Sequence, residues 1–222
     1  MKFFSSLILA GLLTGSVFAL DSAKLAEVAN KLTSQSMDEQ FAARMELNRL
    51  VDDATAPGKD CVAVTKTLLA ALQSNQIPNE AKKYILRKLA HCGTAEAVAP
   101  MAALLKGSDP LFKEEARRVL EEIPDPKAVA VLEGALKSAS DKRDKLSFIN
   151  SLAMQGASSS VQVIQHSVVD PDAELARAAV HALAKIRGTN AVTDLGKAAA
   201  SSKVVPSLKA DIDKALLIHG SD

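Results

Sequence analysis

Apolar residues return along most of this chain at the spacing of a helix face, and the pattern breaks at regular intervals. Phe112, Ala116, Val119, Leu120 and Ile123 fall at i, i+4, i+7, i+8 and i+11, which is one side of a helix with 3.6 residues per turn. Leu175, Ala179, Val180, Leu183 and Ile186 repeat that layout, and Leu146, Ile149, Leu152 and Ala153 follow it more loosely. After each break comes a second amphipathic stretch. These stretches carry Val98, Met101, Ala102 and Leu105; Val129, Leu132 and Leu136; Val161, Ile164 and Val168; and Val192, Leu195 and Ala199. The pattern predicts helical hairpins rather than single helices.

The breaks keep a period. Gly93, Pro124, Gly156, Gly188 and Gly220 follow one another at steps of 31, 32, 32 and 32 residues. A repeat of that length marks an array whose units bury their apolar faces only by stacking on their neighbours. Glycine just past a helix end supplies the left-handed cap conformation without steric cost. Asp109-Pro110, Asp125-Pro126 and Asp170-Pro171 each set an N-cap acceptor before a proline at the first helical position. Ser36 and Glu39 have the spacing of a capping box. The expected elements are a leading helix near 22–33, hairpins near 38–74, 79–106, 110–138, 141–168 and 171–200, and a closing helix near 205–218. The result is all-α: a solenoid of about five hairpins with a capping helix at each end, in one domain over 20–222.

The first nineteen residues have the form of an export signal. Lys2 is the positive start, Leu7 to Leu13 is uncharged and apolar, and Val17-Phe18-Ala19 ends in the small residues a signal peptidase accepts. Cleavage there predicts an exported protein, periplasmic or secreted, beginning at Leu20 and with no integral membrane segment. Without Lys2 the chain holds 26 basic and 26 acidic residues. That balance argues against a nucleic-acid partner, whose affinity rests on a basic footprint. Only Phe41, Tyr84, Phe112 and Phe148 remain as aromatics, too few for a base-stacking platform.

Few residues carry candidate chemistry. Cys61 and Cys92 are the two cysteines, and export to an oxidising compartment favours pairing. Stacked hairpins put the start of the helix at Cys61 and the end of the helix at Cys92 on one edge in adjacent layers. A disulfide is the expectation, with two buried free thiols as its alternative. His91, His166, His181 and His219 lie on different hairpins without metal-ligand spacing. Ser158-Ser159-Ser160 lacks the elbow of a nucleophile and reads as a capping run. Glu114-Glu115 and Glu121-Glu122 sit among Lys113, Arg117 and Arg118 and read as a paired helix face. Phosphate-cradling glycine loops are absent from the sequence, and no catalytic residue, cofactor or metal is assigned.

Two surfaces are candidates for a partner. Lys82, Lys83, Arg87 and Lys88 share a helix with Glu80 alone for balance; the cluster is either a solvated face or a docking site for an acidic partner. The second helices offer Glu133, Lys137, Gln162, His166, Asp194 and Lys197, either as polar positions of an inner binding face or as a solvated stripe.

The stretch from Asp170 through Asp172, Leu175, Arg177, Ala179, Val180, Leu183 and Ile186 to Gly188 resembles a HEAT-type repeat. More particularly it resembles the short-period kind shared with bilin-lyase-like proteins. Phe112 to Leu136, with Leu120-Glu121-Glu122-Ile123-Pro124-Asp125-Pro126, is similar to repeats in large exported bacterial HEAT proteins. The resemblance covers about 79–200. It implies a right-handed α-solenoid that binds other proteins and has no single reaction, and so a non-enzymatic scaffold. Two other readings stay open: a lyase-like enzyme acting on a small chromophore, and a structural subunit whose stacking continues into another chain of an envelope assembly.

Overall fold

The structure is a computed structural model describing residues 20–186, 188–201, 204 and 206–219; the expected export signal and Gly220 lie outside them. Its helices are α1 (Ser22–Lys31), α2 (Met37–Thr55), α3 (Cys61–Gln73), α4 (Asn79–Cys92), α5 (Val98–Leu105), α6 (Pro110–Glu122), α7 (Pro126–Ser138), α8 (Lys142–Gln155), α9 (Val161–Ile164), α10 (Ala173–Lys185), α11 (Thr189–Ala199) and α12 (Lys209–His219). No strand occurs among the described residues. The five predicted hairpins are present, as α2–α3, α4–α5, α6–α7, α8–α9 and α10–α11, with α1 and α12 at the ends.

First helices form one row, α4 on α6, α6 on α8, α8 on α10 and α10 on α12. Second helices form the other row, more loosely packed. Each second helix lies closer to the first helix of the next hairpin than to its own partner: α3 on α4, α5 on α6, α7 on α8 and α11 on α12. The stacking contact, not the hairpin, is therefore the main site of burial. One apolar core runs from Leu20 to Ala215 and includes the fully enclosed Leu25, Leu68, Leu89, Leu120, Leu152 and Leu183. At roughly 1.5–3 kcal/mol for each buried leucine, these supply much of the stability.

The caps refine the expected boundaries. Asp109 accepts from the amides of Leu111 and Phe112, and Asp125 from that of Lys127, each with proline at the helix start. Asp170 does not cap α10. Its carboxylate turns the chain by accepting from the Asp172 amide at 2.9 Å, and Asp172 is the N-cap, bonded to the amides of Glu174 and Leu175. Ser36 caps α2 through the Glu39 amide at 3.3 Å, but the Glu39 carboxylate takes the Ser34 hydroxyl rather than reaching back to Ser36. Only half of the expected capping box forms.

The helix expected over the second half of the fourth hairpin is mostly a tighter 3-10 coil: Ser158–Ser160 and Gln165–Val169 flank the single turn of α9. Val161, Val163, Ile164, Val168 and Val169 crowd this segment. β-Branched side chains lose rotamer freedom in an α-helix, so the segment has weak preference for one.

The periodic breaks share a position but not a conformation. Gly156 is left-handed at φ 66°, as a C-cap glycine should be. Gly93 is extended, and glycine is needed there because a Cβ would come within 2.5 Å of the Leu89 carbonyl oxygen. At Pro124 the end of α6 is closed from the next layer instead. The Gln155 side-chain amide donates to the carbonyls of Leu120, Glu121 and Ile123 at 2.8, 2.8 and 2.9 Å.

Candidate interaction surfaces

The cationic cluster on α4 is divided by its neighbours. Lys83 folds onto Glu80 at 2.8 Å, leaving 15 % of its side chain exposed. Arg87 reaches across to the buried Glu115 of α6 at 2.9 Å. It also stacks on Tyr84 at 5.4 Å, while Arg44 of α2 covers the same ring at 5.2 Å. Lys83 and Arg87, like charges four residues apart, are thus each paired with a carboxylate of their own. Lys82 and Lys88 are half-buried.

Arg87–Glu115 is one rung of a series between first helices. Lys113 meets Asp144 at 3.8 Å, Arg117 donates to Ser151, Lys142 bridges Asp172 and Glu174 at 2.7 Å each, and Arg177 meets Asp211 at 3.1 Å. Arg117, 13 % exposed, also holds Glu114 and Glu121 within its own helix. Its hydrogen bonds keep the Glu114 carboxyl below the ordinary carboxylate value, as Lys142 does for Asp172. The largely exposed rungs at Lys113, Lys142 and Arg177 stabilise little individually, whereas Arg87–Glu115 and the Arg117 network each include a side chain withdrawn from water. Sequence reasoning treated these charges as belonging to single helices. The signal that would have found the rungs is a base and an acid about one repeat apart, both on first helices.

The second-helix residues are partly gathered. Gln162, Asp194 and Lys197 line one cleft of about 320 Å³ between α9 and α11, with Asn190 and Gln165. Lys197 bonds Asp194 at 3.1 Å. Glu133 of α7 sits at its edge, accepting the hydroxyls of Ser159 and Ser160 at 3.1 and 3.0 Å. The serine run therefore ties two layers together. Lys137 and His166 are exposed and stand outside the cleft.

Cys61 begins α3 and Cys92 ends α4, on the predicted edge. Both are free thiols in the structure, not the expected disulfide. A buried Thr65 binds their two segments: its hydroxyl lies 2.8 Å from the Cys61 carbonyl and 3.3 Å from the Cys92 carbonyl, and it accepts the Thr94 amide at 3.2 Å. The Cys92 thiol donates to the Lys88 carbonyl at 3.2 Å, and burial, then the nearby Cys61, pushes its pKa up to about 11. That value keeps it protonated at neutral pH.

Residues 65–153 match the family of HEAT repeats. No curated protein is similar to the chain in sequence. Among solved structures, human deoxyhypusine hydroxylase in complex with glycerol is 12% identical, with 90% of this chain and 97% of that chain covered at a TM-score of 0.50. The complex of CpcE and CpcF of phycocyanin lyase from Nostoc sp. is 20% identical, over 87% of each chain, at a TM-score of 0.48. An engineered protein is 19% identical over 88% of this chain and 94% of that one, at 0.49. Likeness at these identities concerns the fold alone. Residues 65–153 are thus similar to HEAT repeats, and the all-α solenoid extends to either side of them.

Proposed function

We propose that this chain is an exported, non-enzymatic scaffold that binds another protein through the face of its second helices. The observation that carries the reading is the cleft between α9 and α11, where Gln162, Asp194 and Lys197 from two successive layers present donors and acceptors side by side. Stacked repeats build platforms of this kind because equivalent positions recur along one face. The charges of the first-helix row bridge layer to layer, which supports a structural role for that row. Among the described residues no helix is long and apolar enough to cross a membrane. Crosslinking and affinity capture of the mature protein from the envelope fraction of its source should retrieve one specific partner. Substituting Gln162 and Lys197 with alanine together should reduce the yield. Recovery no better than that of an unrelated exported helical protein would refute the scaffold reading.

Export also bears on the thiols. Leu20 is in the core and Asp21 caps α1, so a chain beginning at Leu20 retains every described contact. In an oxidising compartment the Cys61 and Cys92 thiols would give up two protons and two electrons to the disulfide of a thiol–disulfide oxidoreductase, which leaves as a dithiol. A bond closing this loop of about thirty residues contributes roughly 3–4 kcal/mol on the loop-entropy model, less any strain. Intact mass of the protein purified without reductant should correspond to a chain starting at Leu20 with no alkylatable thiol. Two thiols modified under those conditions would retire the pairing.

A further inference from the structure

A groove lies where the second helices α5 and α7 end and the first helices α6 and α8 begin. It has two lobes, of about 550 and 270 Å³. The lobes share Leu105, Lys113, Asp144 and Phe148 as lining, so they adjoin along a common wall. Val131 and Ala135 extend the apolar floor of the larger lobe, and Leu111, 55% exposed, extends that of the smaller.

The charges around it are unequal in their freedom. Both acidic side chains of the lining are already held: Asp144 by Lys113 at 3.8 Å, and Glu114 by Arg117 and Arg118 at 2.7 and 3.0 Å. Arg117 is engaged in that network. Lys106 at the larger lobe and Arg143 at the smaller are exposed cations with no carboxylate partner among the described residues. Each lobe thus combines an apolar floor with one available positive charge.

We infer that this groove seats an extended segment of the partner protein carrying two apolar side chains, each beside a carboxylate. Two lobes joined by a shared wall suit a chain that passes from one to the other, with a side chain seated in each. The carboxylates meet Lys106 and Arg143, and the apolar groups cover Phe148, Leu105 and Val131. Such recognition draws its affinity from apolar burial and its selectivity from charge. It rests on the scaffold reading and adds to it the place and chemistry of one contact.

Gly134 makes the test clean. It lies within α7 on the wall of the larger lobe, and a Cβ placed there meets no atom within 4 Å. Gly134→Leu is expected to narrow the lobe, its Cβ entering open space, and replacing a mid-helix glycine favours the helix. The probe is a fluorescein-labelled, end-blocked peptide of about eight residues alternating leucine and glutamate, titrated by anisotropy against the full mature protein. Wild type should bind it, more weakly as salt rises. Binding should fall about tenfold or more in Lys106→Glu/Arg143→Glu and be lost in Gly134→Leu, whose melting temperature stays at or above that of wild type. Absence of binding to wild type, equal binding of a leucine–lysine twin, or unchanged affinity in both variants would overturn the proposal. So would binding of dodecanoate in place of the peptide, which would identify a lipid-like anion as the occupant. A captured partner whose yield is insensitive to Lys106→Glu/Arg143→Glu would leave the scaffold reading standing and remove the groove from it.

Discussion

Leu152→Asp is expected to destabilise the fold by on the order of 5 kcal/mol or more, enough to unfold the middle of the array at ambient temperature. Leu152 lies on α8 with no exposed surface, and α8 packs on α6, α7 and α10. Truncating such a leucine costs about 2–5 kcal/mol. An unpaired carboxylate in the same place adds several more, or forces protonation. Domains of this kind have about 5–15 kcal/mol in total. Because each layer touches only its neighbours, the damage should split the array rather than melt it as a whole. Hydrogen exchange should speed up first in α6, α8 and α10, with the amides of α1 to α4 protected longer. Met154→Asp, two residues on at 56% exposure, is the control and should change stability by no more than about 0.5 kcal/mol. Similar urea midpoints for the two variants would contradict the packing of α8.

The contrast between these two positions shows what the sequence makes legible. A period of about 32 residues, with apolar positions in register on either side of each break, is enough to place five hairpins and to tell Leu152 from Met154. Hydrophobic spacing reports which face is buried, but not against what. It therefore missed that α3, α5, α7 and α11 bury most against the following hairpin, a property of three-dimensional stacking.

Polar chemistry was legible only where it is local. The caps at Asp109 and Asp125 are short-range and were readable, whereas at Asp170 and Asp172 two acids compete for one role. There the turn geometry decides, with Asp170 bonding the Asp172 amide and Asp172 opening α10. The α4 cations illustrate the non-local case. They looked unbalanced because Glu115, the partner of Arg87, lies 28 residues on. The groove over Phe148 escaped notice for the same reason, since Lys106 and Arg143 belong to different layers. For the cysteines, the hairpin geometry located their shared edge. Their oxidation state depends on the compartment.

Gln155→Leu should cost about 2–3 kcal/mol, although the residue is neither catalytic nor part of the apolar core. In two other layers the helix-ending carbonyls are met by the chain itself: the Gly93 amide donates to Leu89 at 2.7 Å and the Gly156 amide to Leu152 at 3.1 Å. Proline has no amide hydrogen to offer at position 124. The Gln155 side chain takes over that role with three carbonyls of α6 and its exit, closing one layer from the next. A leucine of similar size would keep the packing and leave the Leu120 and Glu121 carbonyls part-buried and unmet, whereas that of Ile123 still accepts the Asp125 amide at 2.8 Å. An unsatisfied group costs about 1–3 kcal/mol. Gln155→Glu should be at least as damaging at neutral pH, because a carboxylate can only oppose carbonyl oxygens; acidification should partly restore it by returning a donor proton. That recovery should begin above the ordinary glutamate value of about 4.3, since those carbonyls disfavour the charged form. Pro124→Gly with Gln155 retained should lose no more than about 1 kcal/mol, the entropy a proline removes from the unfolded chain. Thermal melts of the three variants order these effects. If Pro124→Gly were the most damaging, proline rigidity rather than the inter-layer amide would be what closes α6.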